Sequence, residues 1–195
     1  MPTQTLKPIL DLAFPHNWTI EILEKRPLIA PARQFVYPQQ VEEVERGALE
    51  LLIKPSEGDA FLATCALGFA NPTAPTGVWS CPDPDWVCAA SGGYAYMIDT
   101  LQPQQWSMIP YRPVLYVRPL PDQQLLLFVG HHSILAWGRD GMAWQSERLS
   151  WEGIEITDIV GDTLCGLGWD LLTDRDVAFA IDLKTGEHTG GVPNS

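Results

Sequence analysis

GVWSCPDPDWVCAASGGYAYMIDTLQPQQWSMIP (77–110), PVLYVRPLPDQQLLLFVGHHSILAWGRDGMAWQSERLS (113–150) and GIEITDIVGDTLCGLGWDLLTDRDVAFAIDLKTGEHTGG (153–191) are three versions of one unit. Each opens on a short strand (Val78–Cys81, Val114–Val117, Ile154–Ile159) and turns through Pro, Asp or Gly. An apolar strand follows (Trp86–Ala90, Leu125–Val129, Thr163–Leu167) and stops at glycine or a small residue (Ser91, Gly92 and Gly93, then Gly130, then Gly168). An alternating strand then enters a polar turn (Tyr94–Asp99, Ser133–Gly138, Val177–Asp182). A last short strand, such as Gln105–Ile109 or Met142–Ser146, closes the unit. Subtraction supports the register: Trp86 to Leu125 and Ile98 to Trp137 are each 39 residues, and Gly130 to Gly168 is 38. Trp137 to Ile181 is 44, so the third copy carries about six extra residues, assigned to a polar hairpin tip at Asp170–Asp176.

A period near 40 residues with four short strands is the sequence sign of a propeller-like array. A four-stranded sheet cannot hide both faces alone, so it must stack on a neighbour. The apolar runs VCAA, LLLFV and LCGL suit strands covered on both faces. The expected fold is therefore all-β: antiparallel four-stranded repeat units in a small or partial β-propeller-like array. A single bent antiparallel sheet or a β-sandwich is the alternative.

The third copy contains Ala180, Asp182, Thr185 and Gly186 in AIDLKTGE. This resembles the repeat of quinoprotein-like (PQQ-type) propellers, Ala-x-Asp-x-x-Thr-Gly followed by Trp. The second copy keeps Ala136, a turn at Arg139-Asp140-Gly141 and Trp144; the first keeps Asp99 and Trp106. Neither has the Thr-Gly pair, and the third copy has Gly190 near the place of the Trp. The resemblance covers about half the chain. It implies a blade whose Asp and Gly make a tight turn and whose Trp packs between blades. It implies no quinone, because many such propellers bind none, and no cofactor is expected.

Upstream, residues 1–76 do not fit the repeat and are expected to form an irregular fourth blade or a cap on the same core. The units then run 77–112, 113–150 and 153–191, within a single domain overall. Residues 1–16 read as an extended arm with an apolar knot at Ile9–Leu12. Asn17–Leu23 alternates as a strand, and Leu28–Tyr37, with Pro31, reads as edge or irregular. Val41–Leu52 has helical spacing, but Gly47 weakens a helix, and Ser56-Glu57-Gly58-Asp59 is a strong turn. We therefore expect a hairpin of Ala48–Lys54 with Ala60–Phe69.

With 195 residues, 46% hydrophobic content and eight Trp, the chain is globular and packed. No apolar run is long enough for a membrane helix, and the first residues lack the basic start and apolar core of a signal peptide. A cytoplasmic protein without membrane contact is expected. The net charge of −12, with Lys and Arg scattered, is opposite to what nucleic acid phosphates require, so no nucleic acid partner is expected. From Trp151 to Gly190, nine Asp/Glu face two Lys/Arg. That is a solvated surface or a face that meets a basic partner.

Chemistry-bearing residues are sparse. Cys65, Cys81, Cys88 and Cys165 contain no CxxC, and Cys88 and Cys165 stand where the second copy has Leu127. Equivalence to leucine reads as buried thiols, with a disulfide between neighbouring strands as the alternative and a metal site behind both. His131 and His132 occupy the turn where the first copy has Gly92 and Gly93, and adjacent residues in an extended chain point to opposite faces. Asp170, Asp174 and Asp176 cluster in the insertion, but their spacing is not that of a calcium loop and Arg175 interrupts the charge. No GxSxG and no phosphate loop is present, so the chain reads away from an enzyme. Tyr111, Trp151 and Trp169, near unit ends, are the aromatics expected to be exposed and to meet a partner or ligand.

The leading expectation is a non-enzymatic β-repeat module that binds a protein, a basic one if the acidic face is used, through Tyr111, His131, His132, Trp151, Trp169, Asp170, Asp174 and Asp176. An acidic inhibitor or immunity-type protein is a concrete version. The alternative is a small-molecule or glycan-binding propeller, hydrolytic if carboxylates such as Asp99 and Asp182 converge. The oligomeric state stays open.

Overall fold

Apolar strands that alternate with turns every few residues leave the chain one economical arrangement, local antiparallel pairing. The computed structural model, which describes residues 7–29, 31–39, 44, 46–69 and 74–193, contains four sheets and, among those residues, no α-helix. No sheet closes into a barrel. The chain divides into two compact units, Met1–Pro113 and Val114–Ser195, each with two sheets.

In the first unit one sheet holds β2 (Trp18–Leu23), β3 (Arg33–Tyr37), β4 (Ala48–Pro55) and β5 (Phe61–Ala66). Its order is β2-β4-β5-β3. The expected hairpin is present, with Leu51 opposite Ala63 and Ile53 opposite Phe61. The helical reading of Val41–Leu52 falls partly outside the described residues; its second half is β4. β3 is an edge strand and runs parallel to β5, which is why this sheet does not follow the repeat.

The other sheet holds β6 (Gly77–Ser80), β7 (Trp86–Ser91), β8 (Tyr94–Asp99) and β9 (Trp106–Met108) as a meander. The apolar knot of the N-terminal arm contributes β1 (Ile9–Asp11), a fifth strand parallel to β6. Leu49, Leu51, Ile53, Phe61 and Ala63 of one sheet and Val87, Ala89, Tyr96 and Ile98 of the other share one core. Two buried tyrosines place their hydroxyls on carbonyls: Tyr37 donates to Pro103 at 2.7 Å and Tyr96 to Ala66 at 2.9 Å. A buried hydroxyl without a partner is costly, so these bonds fix how the two sheets meet.

The second unit repeats the meander twice. β10 (Tyr116–Leu120), β11 (Leu125–Val129), β12 (Ile134–Gly138) and β13 (Gly141–Gln145) form one sheet. β14 (Ile154–Val160), β15 (Thr163–Asp170), β16 (Arg175–Asp182) and β17 (His188–Gly190) form the other. Leu125, Leu127 and Val129 pack with Ile154, Leu164, Phe179 and Ile181. Ile154, Ile156 and Ile159 are spaced two and then three apart, which would turn one isoleucine outward in a regular strand. A register shift between Ile156 and Asp158 absorbs the extra residue and returns Ile159 to the core side.

The expected extra length of the third copy is distributed differently. It lengthens β15 and β16 to eight residues each, and only residues 171–174 form the tip. Nor is the tip polar throughout, since Leu171 and Leu172 are 55% and 76% exposed.

The turn AIDLKTGE seats the second copy's tryptophan. Trp144 is buried, and its indole N–H donates to the Leu183 carbonyl at 2.7 Å. Gly186 has φ of 76°, and a Cβ there would stand 2.7 Å from the Trp144 ring. Both the backbone conformation and the space demand glycine. Gly186→Ala is expected to destabilise the protein by about 1–3 kcal/mol and Trp144→Ala by about 3–5 kcal/mol. Urea unfolding followed by tryptophan fluorescence measures both; unchanged midpoints would contradict this packing.

Candidate functional site

The outer face of the C-terminal sheet is the region where the sequence leaves most chemistry uncovered. Residues opposite one another in an antiparallel pair share a face. Leu164, Gly166 and Gly168 look inward, so Cys165, Leu167 and Trp169 look outward. Their partners extend that face: Asp158 and Ala180 flank Cys165, Glu155 and Ala178 flank Leu167, and Asp176 lies opposite Trp169. Cys165, Leu167, Trp169 and Ala180 are half-buried and Ala178 is exposed. No Lys or Arg stands in these rows.

A shallow cleft of about 290 Å³ opens at the Trp169 end of the face, with Leu167, Trp169, Glu152, Glu155 and Asp176 in its lining. The Trp169 indole N–H lies 3.3 Å from Asp174 Oδ1. Among the described residues, Glu152, Glu155 and Asp176 are in no ion pair, and no cation lies over the Trp169 ring. Trp151 differs, with the Arg148 guanidinium 4.4 Å from its ring centre.

Trp169 is held by the segment between β13 and β14. Ser150 Oγ accepts the Trp169 N–H at 2.9 Å and the Glu152 N–H at 3.2 Å. The Trp151 N–H donates to the Trp169 carbonyl at 2.9 Å. This strap lies so close to β15 that a Cβ on Gly168 would stand 2.2 Å from the Leu149 carbonyl oxygen, so only glycine fits. The clamp anchors the backbone on one side while the ring projects from the other.

Asp170 organises the tip. It is 4% exposed and only shallowly covered; Oδ1 accepts the Leu172 N–H at 3.1 Å and Oδ2 the Thr173 hydroxyl at 2.7 Å. The Thr173 hydroxyl, then the Leu172 and Thr173 N–H groups, hold its pKa below the ordinary value against the opposing effect of burial. The Trp151 indole N–H, shut from solvent and without a hydrogen-bond partner among the described residues, also favours the charged form.

The structure gathers Trp151, Trp169, Asp170, Asp174 and Asp176 at one end of this sheet. His132 borders the strap, with Nδ1 3.3 Å from the Ser150 carbonyl, and His131 is half-buried beside it in the β11–β12 turn. Tyr111 belongs to the other unit. Tyr111, Trp151 and Trp169, expected to be exposed, are each half-buried instead; the Arg148 guanidinium covers part of the Trp151 ring, and Leu167 and Asp174 border Trp169. Glu152, Glu155 and Leu167 were missed by the sequence reading; the inward isoleucines of GIEI already imply that Glu155 points outward. Leu171 and Leu172 were missed because the insertion was read as polar. Asp99 and Asp182 are turn carboxylates: Asp99 accepts the Leu101 and Gln102 N–H groups, and Asp182 those of Lys184 and Thr185. Among the described residues no group of three His, Cys, Asp or Glu is placed to hold a metal.

A second cleft, of about 320 Å³, lies among Asp122, Gln123, Asp162 and Lys184. There Lys184 pairs with Asp162, which raises the lysine pKa. This cleft carries no unneutralised aromatic platform. No family model matches the chain, and no curated protein matches it either. Among the described residues no helix is long and apolar enough to cross a membrane.

Two outcomes check this geometry. Because the folded-state pKa of Asp170 is depressed, its contribution is complete above about pH 4 and is lost as pH falls through the folded value. Asp170→Asn is therefore expected to lose stability at pH 7, lose hydrogen-exchange protection at the Leu172 amide, and show a shallower fall in stability below pH 4 than the parent. Separately, burial pushes the thiols of Cys65, Cys81 and Cys88 far up from their ordinary range, whereas Cys165 is half-buried on the open face. A native thiol titration is expected to find one accessible group, abolished by Cys165→Ala.

Proposed function

We propose that this chain is a non-enzymatic β-repeat module that binds a basic protein partner through the outer face of its C-terminal sheet. The observation that carries this reading is the pairing of a partly exposed apolar strip with carboxylates that, among the described residues, lack counter-ions. Leu167, Trp169 and Ala178 supply area that water hydrates poorly, and Glu155, Asp158 and Asp176 supply uncompensated negative charge. A surface of this type gains from burial by an apolar patch and from the approach of cations. The second unit adds long-range attraction, with twelve Asp/Glu against five Lys/Arg.

The repeat itself supports the same use. Leu127 of the second copy is buried against the next sheet, while the equivalent Cys165 of the third copy looks onto the open face. A face built for stacking is offered to another molecule. An acidic inhibitor that masks a basic protein is the concrete form of this reading, within a propeller-like array of the PQQ-type pattern. Four unpaired cysteines accord with a reducing, cytoplasmic setting. The hydrolytic alternative draws no support from Asp99 and Asp182, which serve their own turns.

A photo-crosslinking amino acid at Val160, 64% exposed on the same face, tests the proposal in the source cell. The expected result is one discrete adduct with a protein of basic isoelectric point, lost in Glu155→Lys/Asp176→Lys. No discrete adduct, or one indifferent to the charge reversal, would overturn it.

A further inference from the structure

We infer that the Trp169 ring is the seat for one arginine side chain of the partner. This inference rests on the basic-partner reading and gives it a chemical centre. The argument begins with the contrast between two neighbouring tryptophans. Trp151 already stacks on the Arg148 guanidinium at 4.4 Å. Trp169, tied to the same strap through Ser150, is half-buried and has no cation over its ring among the described residues. An indole face attracts cations through its quadrupole. Around this ring stand Asp174, which takes its N–H, Asp176 across the strand pair, and Glu155 and Glu152 in the same cleft.

Arginine suits this place better than lysine. The cleft is shallow, and the flat indole and Leu167 line it together with Glu152, Glu155 and Asp176, so a planar guanidinium can stack while its forked N–H groups reach carboxylates. A lysine ammonium is more strongly hydrated and gains less from a flat, half-open lining. The site is also preorganised, since the strap clamps the Trp169 backbone on both its N–H and its carbonyl. Beside it, the exposed Leu171 and Leu172 sit on a tip pinned by Asp170. They extend the contact to an apolar residue neighbouring the arginine. The partner's motif is thus an arginine next to a bulky apolar side chain.

The test is an NMR titration of the full-length, ¹⁵N-labelled chain with acetylated, amidated Gly-Arg-Leu-Gly, and in parallel with Gly-Lys-Leu-Gly. Trp169→Phe assigns the indole resonance. The Trp169 indole N–H is expected to shift saturably with the arginine peptide, more strongly than with the lysine peptide, while Trp151 stays in place. Trp169→Leu is expected to weaken binding about two- to fivefold, the range of an exposed cation–π contact, and Trp169→Phe to retain most of it. Glu155→Gln/Asp176→Asn, which leaves the ring intact, is expected to weaken binding as well. An unmoved Trp169 resonance overturns the inference; so do equal shifts with both peptides, or affinity unchanged in Trp169→Leu. If the Val160 crosslink persists in that last case, the arginine seat fails and the wider reading stands. If the arginine peptide saturates Trp169 but no basic protein is captured, the wider reading fails alone.

Discussion

A β-sheet of four short strands has two faces and too little area to satisfy either by itself, and each unit of this protein is arranged around that constraint. In the second unit, Leu125, Leu127 and Val129 of β11 meet Leu164, Phe179 and Ile181 of the following sheet. In the first, Leu51, Ile53 and Phe61 meet Val87, Tyr96 and Ile98. Each pairing hides one face of each sheet, and the buried apolar area is the main source of stability. Trp144 on the turn of Leu183 and Gly186 adds a directional bond to a non-directional force and holds the two sheets of its unit in register.

The candidate site follows from the same arrangement. Stacking consumes the inner face of the C-terminal sheet, with Ile154, Leu164 and Phe179, and leaves the outer face with Cys165, Leu167 and Trp169. The link before β14 then acts as a clamp, because Ser150 closes bonds to Trp169 and Glu152 and Gly168 admits the close approach. A half-exposed tryptophan with a fixed backbone loses little freedom when a ligand covers it, which favours recognition. Among the described residues, carboxylates on β14 and β16 frame the ring without neutralising partners, which gives the site a definite electrostatic preference.

Much of the fold was legible in the chain. Ala48–Lys54 was assigned to a hairpin over a competing helix because a Ser-Glu-Gly-Asp turn outweighs a helical spacing broken by Gly47, and β4 and β5 form it. The strand meanders of the three copies followed from apolar runs that end at glycines. Less legible was the third copy's insertion. Its extra residues lengthened β15 and β16, because Trp169 and Asp176 continue the pairing that a loop reading interrupted. The parallel addition of β1 to β6 and of β3 to β5 was also invisible, since short parallel pairings depend on where the connecting chain returns.

Of the site, the acidic tract, Trp151, Trp169 and the Asp170–Asp176 cluster could be named from composition and position, while the cleft they form with Glu152, Glu155 and Leu167 could not. The sequence by itself determined the all-β class, the repeat, and the two-residue alternation that separates Glu155 from Ile154 and Ile156. These are local properties, set by strand geometry and turn chemistry within each copy. Only the tertiary structure decided which face of the C-terminal sheet remains open and which tryptophan already has its cation. Those outcomes depend on which neighbour covers each surface, and equivalent positions such as Leu127 and Cys165 meet different fates because one sheet has a successor packed on it within its unit and the other does not.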